Sequence, residues 1–283
     1  MTIIKVVLVV IFVLSIQNIY AQCSDAGVCI VGDRHKKTKE ELNSSSLSFQ
    51  YSFGLSGTPE DIIYHTFKFG GDFRVSNNFS VNAVLPVYSM IYKNSATLSK
   101  NGLGDAFIIG SYAVTTGRNQ SLNLQGGFKL NTSSIDKEKF AYTNAQGTND
   151  LIFGADFNYS FFSLSGGFQI PLTNYKNKDL FEFKRGADFM IKGGFQRKAE
   201  DLKLRFEVLG IKRLSKSEII NGLTTVIEKS DFFQLNILGG ISYNVSKNVL
   251  LDLGIALPMI KRDDNSDGTK RVFSANMGIR YNI

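Results

Sequence analysis

Leu47, Phe49, Tyr51, Phe53 and Leu55 alternate with Ser48, Gln50, Ser52 and Gly54. At the far end of the chain, Phe273, Ala275, Met277, Ile279, Tyr281 and Ile283 alternate with Ser274, Asn276, Gly278, Arg280 and Asn282. Successive side chains of an extended strand point to opposite faces, so a period of two predicts strands with one apolar and one polar face. Between these ends the same rhythm predicts ten more strands, over 62–75, 79–91, 103–115, 121–131, 150–160, 162–172, 186–196, 202–211, 232–244 and 248–260. Each is close to the roughly 9–11 residues a tilted strand needs to cross a membrane.

The connections carry a second rhythm. Short turns fall at 76–78, 117–119, 160–161, 197–201 and 245–248, and longer polar loops at 132–149, 173–185, 212–231 and 261–271. Short turns at one end and long loops at the other predict an all-β, antiparallel transmembrane barrel of about twelve strands. The turns would be periplasmic and the loops extracellular, and an even strand count returns both termini to the periplasmic side.

Alternation alone does not say which face is inside, because a secreted sandwich or lipocalin buries its apolar row. Here the polar row carries Lys68, Asp72, Arg74, Asp105, Lys129, Asp156, Asp188, Lys192, Lys203, Arg205, Glu207, Asp252 and Arg280. The opposite row is almost purely apolar, with Phe73, Phe79, Phe195, Tyr243 and Tyr281 beside the short turns, as in an interfacial aromatic girdle. The polar row is therefore expected to line a lumen and the apolar row to meet outer-membrane lipid.

The N-terminus supports export. Lys5 precedes an apolar run from Val6 to Ile16, and Ile19-Tyr20-Ala21 ends on a small residue, which predicts a signal peptide over 1–21. The run is too short for a spanning helix. Residues 22–46 read as a polar periplasmic segment, a tether or plug, in which Cys23 and Cys29 are expected to close a small disulfide loop. Residues 47–283 form the barrel.

Composition narrows the function. The formal charge of +7 is spread over dispersed Lys and Arg, without the basic cluster that nucleic-acid binding requires. Two Cys and two His are too few for a structural zinc or iron–sulfur site. No cofactor is expected, with one qualification: Asp263, Asn265 and Asp267 fit the opening of a calcium loop, but Ser274 stands where its bidentate Glu belongs. An acidic, solvated hairpin tip is the favoured reading there.

Within the strands, Val75-Ser76-Asn77-Asn78-Phe79 and Val245-Ser246-Lys247-Asn248-Val249 share a turn chemistry. Gly pairs at 70–71, 126–127, 166–167, 193–194 and 239–240 read as kinks that let a small barrel curve. Pro86, Pro171 and Pro258 belong where strand pairing stops or bulges.

Three resemblances add to this reading. Gly278-Ile279-Arg280-Tyr281-Asn282-Ile283 resembles the C-terminal strand by which bacterial outer-membrane proteins reach the barrel-assembly machinery, which assigns the signal to Gly278, Tyr281 and Ile283. Asn101-Gly102-Leu103-Gly104-Asp105 and Gly147-Thr148-Asn149-Asp150-Leu151-Ile152-Phe153-Gly154 resemble segments of the outer-membrane channel family named after the meta-pathway of phenol degradation. That resemblance implies passage of small, often hydrophobic compounds. The twelve-stranded outer-membrane phospholipases carry an H-x-S pattern on the outer wall; His65 is followed by Thr66 and Phe67 instead, so no enzyme is expected. The sequence thus points to a passive channel for small solutes, with a non-transporting barrel of structural, adhesive or assembly role as the alternative. It specifies no other protein partner.

Overall fold

The computed structural model describes residues 44–56, 61–93, 99–116, 120–133, 147–177, 181–260 and 271–283. The signal peptide, Cys23, Cys29 and the Asp263, Asn265, Asp267 loop lie outside them. In chain order the strands are β1 (Ser46–Ser56), β2 (Ile62–Arg74), β3 (Phe79–Tyr92), β4 (Lys100–Leu103), β5 (Ala106–Thr116), β6 (Gln120–Leu130), β7 (Asp150–Tyr159), β8 (Phe162–Pro171), β9 (Tyr175–Asn177), β10 (Phe181–Lys184), β11 (Asp188–Ala199), β12 (Leu202–Arg213), β13 (Glu218–Asn221), β14 (Leu223–Val226), β15 (Phe233–Asn244), β16 (Val249–Ile260) and β17 (Arg271–Asn282).

Thirteen of these, with β4 and β5 counting as one strand, close a twelve-stranded barrel. Each long strand pairs antiparallel with its sequence neighbours, and β1 pairs with both β2 and β17. Closure removes the free edges that an open sheet would present to lipid. β4 and β5 are one strand interrupted by a bulge: Val84 faces Phe107, but Val87 faces Leu103. Pro86 sits at that step, where its missing N–H costs no ladder bond, and its carbonyl accepts from Gly104 N at 2.8 Å. Pro258 likewise lies at the register shift opposite Leu235 and Asn236.

The short turns are chemically alike. Ser76 Oγ accepts from Phe79 N (3.1 Å), and Ser246 Oγ accepts from Val249 N (3.2 Å), so the two similar sequences build the same hydroxyl-capped turn. The turns after β7 and β11 each hold a non-glycine residue at positive φ, Ser160 and Glu200, both at 54°.

Burial fixes the faces. In β1 the polar Ser46, Ser52 and Ser56 are buried, whereas Leu47 and Phe49 are exposed. The same holds around the wall, where Phe73, Phe79, Tyr112, Phe195, Tyr243 and Tyr281 project outward near the short turns. Cross-strand aromatic contacts such as Phe153–Phe168 (5.3 Å) and Phe168–Phe189 (4.9 Å) pack this outer belt.

Two features depart from the sequence reading. The inward row is not uniformly polar: Phe107, Ile152, Met190, Leu209 and Ile211 pack inside with Phe232, and Ile62, Tyr64, Tyr88, Met90 and Tyr92 form a second interior cluster. These residues sit in the outer half, where side chains fill the narrow barrel and need no water-facing groups. The loops at 173–185 and 212–231 also contain structure, since β14, β13, β10 and β9 form a separate four-stranded sheet. It packs on Tyr175 and Phe183 and is tied to the rim by Gly186 N to Ser217 Oγ (3.3 Å).

Candidate functional site

The barrel interior is built from inward positions of the long strands. Lys68, Asp72 and Arg74 come from β2, Lys129 from β6, Asp156 from β7, and Asp188 and Lys192 from β11. Lys203, Arg205 and Glu207 come from β12, Asp252 from β16 and Arg280 from β17; Asp105 lies at the β4–β5 bulge. The structure sorts these residues by height.

At the outer ends of β5 to β12, three carboxylates alternate with three cations. Lys129 Nζ lies 3.6 Å from Asp105 and 2.9 Å from Asp150; Arg185 reaches Asp150 at 3.2 Å and also pairs with Asp188; Arg213 Nε holds Asp188 at 2.9 Å. Thr148 donates to Asp150 at 2.6 Å, Gln169 donates to it as well, and the Arg213 guanidinium lies 4.8 Å from the Phe232 ring centroid. All six charged groups are buried. Charges taken this far from water persist only when paired and hydrogen-bonded, and the alternation supplies that. Asp150, Arg185 and Arg213 were missed by the sequence reading. Asp150 shares the parity of Asp156 and could have been found; Arg185 lies in the β10–β11 link and carries no periodic signal.

Beneath this lattice lies the apolar layer of Phe107, Ile152, Met190, Leu209 and Ile211, with Val84 and Leu238 packed against it. Asp150, Ile152 and Met190 are 0% exposed, so these side chains are fully packed at this level.

Nearer the short turns the interior becomes polar. Arg205 Nη2 contacts both oxygens of Asp252 at 3.0 Å, and Ser242 Oγ bridges the pair. Gly240 makes room for this guanidinium, since a Cβ there would stand 2.6 Å from Arg205 Nη2. Gln125 donates to Asp156 one level away. Tyr281 and Ile283 face outward on β17, and Ile283 N donates to Ser45 O at 2.8 Å, completing the seam with the first strand.

A closed twelve-stranded barrel with a largely apolar exterior, aromatic residues at the short-turn rim and a charge-bearing interior defines a transmembrane β-barrel of the bacterial outer membrane. Among solved structures it is similar to an outer membrane channel from Pseudomonas putida F1, with a TM-score of 0.67 and 10% identity over 85% of this chain and 96% of that one. It is more distantly similar to the KdgM porin (TM-score 0.48, 9% identity, 84% and 99% covered) and to the translocator domain of the autotransporter NalP from Neisseria meningitidis (0.49, 10%, 94% and 99%). The first likeness extends to the fold and not to a solute. No family model and no curated protein matches the chain, so the likeness to the phenol-pathway channels rests on its short motifs alone.

Proposed function

We propose that the protein is a passive outer-membrane channel for small solutes that carry an apolar part. One observation carries this reading: charged side chains of both signs, among them the paired Arg205 and Asp252, face the interior of a closed, membrane-spanning wall, below an apolar cluster. A solute would pass the apolar cluster and gain polar contacts beside Lys192, Arg205, Glu207 and Asp252. Both signs of charge line the interior, which gives weak ion selectivity. The barrel-assembly machinery would insert the protein through the strand ending in Tyr281 and Ile283.

The tightly packed interior cluster and buried charge lattice favour a second reading, a barrel that serves structure or adhesion. Planar-bilayer recording separates the two. A channel gives discrete conductance steps, and Lys192→Glu moves its reversal potential toward cation preference. Silent bilayers, together with no uptake of small aromatic solutes by loaded liposomes, would assign the structural role.

A further inference from the structure

Between the two rims, the lipid-facing row is apolar on every barrel strand except along one line. Outward on β1, β2, β3 and β4 stand Tyr51, His65, Ser89 and Asn101. Register aligns them: Phe53 faces His65, His65 faces Ser89, and Ser89 faces Asn101. Directly opposite residues of antiparallel strands share a face, so the three polar residues of β2, β3 and β4 form a continuous line. Tyr51, one step lower on β1, joins it through a 2.8 Å hydrogen bond between its Oη and His65 Nδ1.

The line is not the membrane boundary, because Leu55, Ile63 and Ile91 lie one outward-facing position above it. Its depth follows from strand geometry. Phe73, in the aromatic girdle, and His65 lie eight residues apart on β2. At about 3.3 Å per residue and a tilt of roughly 40°, that is a height of about 20 Å within a belt about 25 Å tall. This is where the acyl linkages of outer-leaflet lipids meet their hydrocarbon chains. Polar groups facing lipid are costly unless they are hydrogen-bonded.

We propose that Tyr51, His65, Ser89 and Asn101 form a lipid-binding stripe that hydrogen-bonds the acyl-ester region of an outer-leaflet lipid. Where the Tyr51 phenol donates to Nδ1, the other ring nitrogen of His65, Nε2, is left to serve as a donor. The Ser89 hydroxyl and Asn101 amide add donors on the two next strands. Ester carbonyls offer acceptors and no donors, which complements this set. Phe53, in edge contact with His65 at 5.8 Å, and Phe67, 5.3 Å from Tyr51, provide an aromatic floor for the acyl chains. The stripe is proposed as a binding surface.

The test uses the full-length protein in nanodiscs containing equal amounts of diester phosphatidylcholine and its diether analogue, which lacks the carbonyls. Lipid retained on the barrel is counted by native mass spectrometry. Retention of the diester form should exceed the diether form by about tenfold, the effect of one hydrogen bond formed in a low-dielectric setting. The triple variant H65F/S89A/N101L should reduce that ratio to near one. Its changes are apolar on a lipid-facing surface, and the mobility difference between unheated and boiled protein checks that it folds. Equal retention by the unmodified protein would overturn the proposal without recourse to any variant. An unchanged ratio in the folded triple variant would also overturn it. So would fatty-acid release that stops in Ser89→Ala, which would make the line a hydrolytic site, or lipid-free dimers joined through this face.

Discussion

Asp150 is the hinge of the outer charge lattice, and its replacement by Asn gives the sharpest test of how that lattice holds. The carboxylate accepts from Lys129 at 2.9 Å, Arg185 at 3.2 Å, Thr148 at 2.6 Å and Gln169, with no exposure to water. The amide preserves volume but removes the charge and turns one acceptor into a donor facing cations. Breaking a buried pair by removing one partner costs about 3–5 kcal/mol. Here each cation keeps a second carboxylate, Lys129 through Asp105 at 3.6 Å and Arg185 through Asp188. The cost should therefore fall at the lower end, about 3 kcal/mol. Urea unfolding of the protein in lipid vesicles, followed by loss of the fast-migrating form on unheated gels, measures it. The double variant D150N/K129M removes a charge of each sign and should recover at least half the loss, because the stranded ammonium is gone. A loss under about 0.5 kcal/mol for D150N would mean that water solvates the lattice; strict additivity in the double variant would mean that the two charges do not interact.

Further outcomes follow from the wall. Gly127→Ala places a Cβ 2.1 Å from the Ile108 carbonyl oxygen and 2.7 Å from Ile109 Cα, so the β5–β6 pair should fail and the heat-modifiable barrel should be lost; Gly126→Ala meets nothing within 4 Å and should fold normally. Equal effects would refute the close approach. The double change Y281D/I283D sets charges on the lipid face, at a cost of about 1 kcal/mol each near an interface. It should leave a protease-sensitive periplasmic form, whereas Asn282→Asp, on the inward row, should assemble. Equal damage would show the faces to be misassigned.

The long strands were legible because their side chains obey one rule. Within β1 and β17 each residue sharing the parity of Leu47 or Tyr281 faces out, and burial assigns Phe49 and Ile279 as that rule requires. Parity failed where it had too little length. The strands of the outer sheet, such as Tyr175–Asn177 and Leu223–Val226, are three or four residues long and give no alternation to read. It failed differently inside the outer half, where Phe107 and Ile109 occupy inward positions beside outward Ile108 and Tyr112, so chemistry no longer marks the face. Arg185 carried no signal at all, as its role depends on Asp150 and Asp188 meeting above it. His65 was visible, but its neighbours Ser89 and Asn101 became neighbours only through register.

The seam between Ser46–Ser56 and Arg271–Asn282 sets a rule for biogenesis. The first strand made is the last to find its second partner, so no shortened product of translation has a closed wall. Until the C-terminal residue emerges, one edge of β1 stays unpaired, along with the apolar belt of every strand already made. Such a chain is an aggregation hazard in water for the whole time needed to cross the periplasm. Folding must wait for synthesis to end and then happen at the membrane, with the newest strand meeting the oldest. The position of that seam makes closure of the wall the final pairing event, with the last strand completing the ladder that the first one opened.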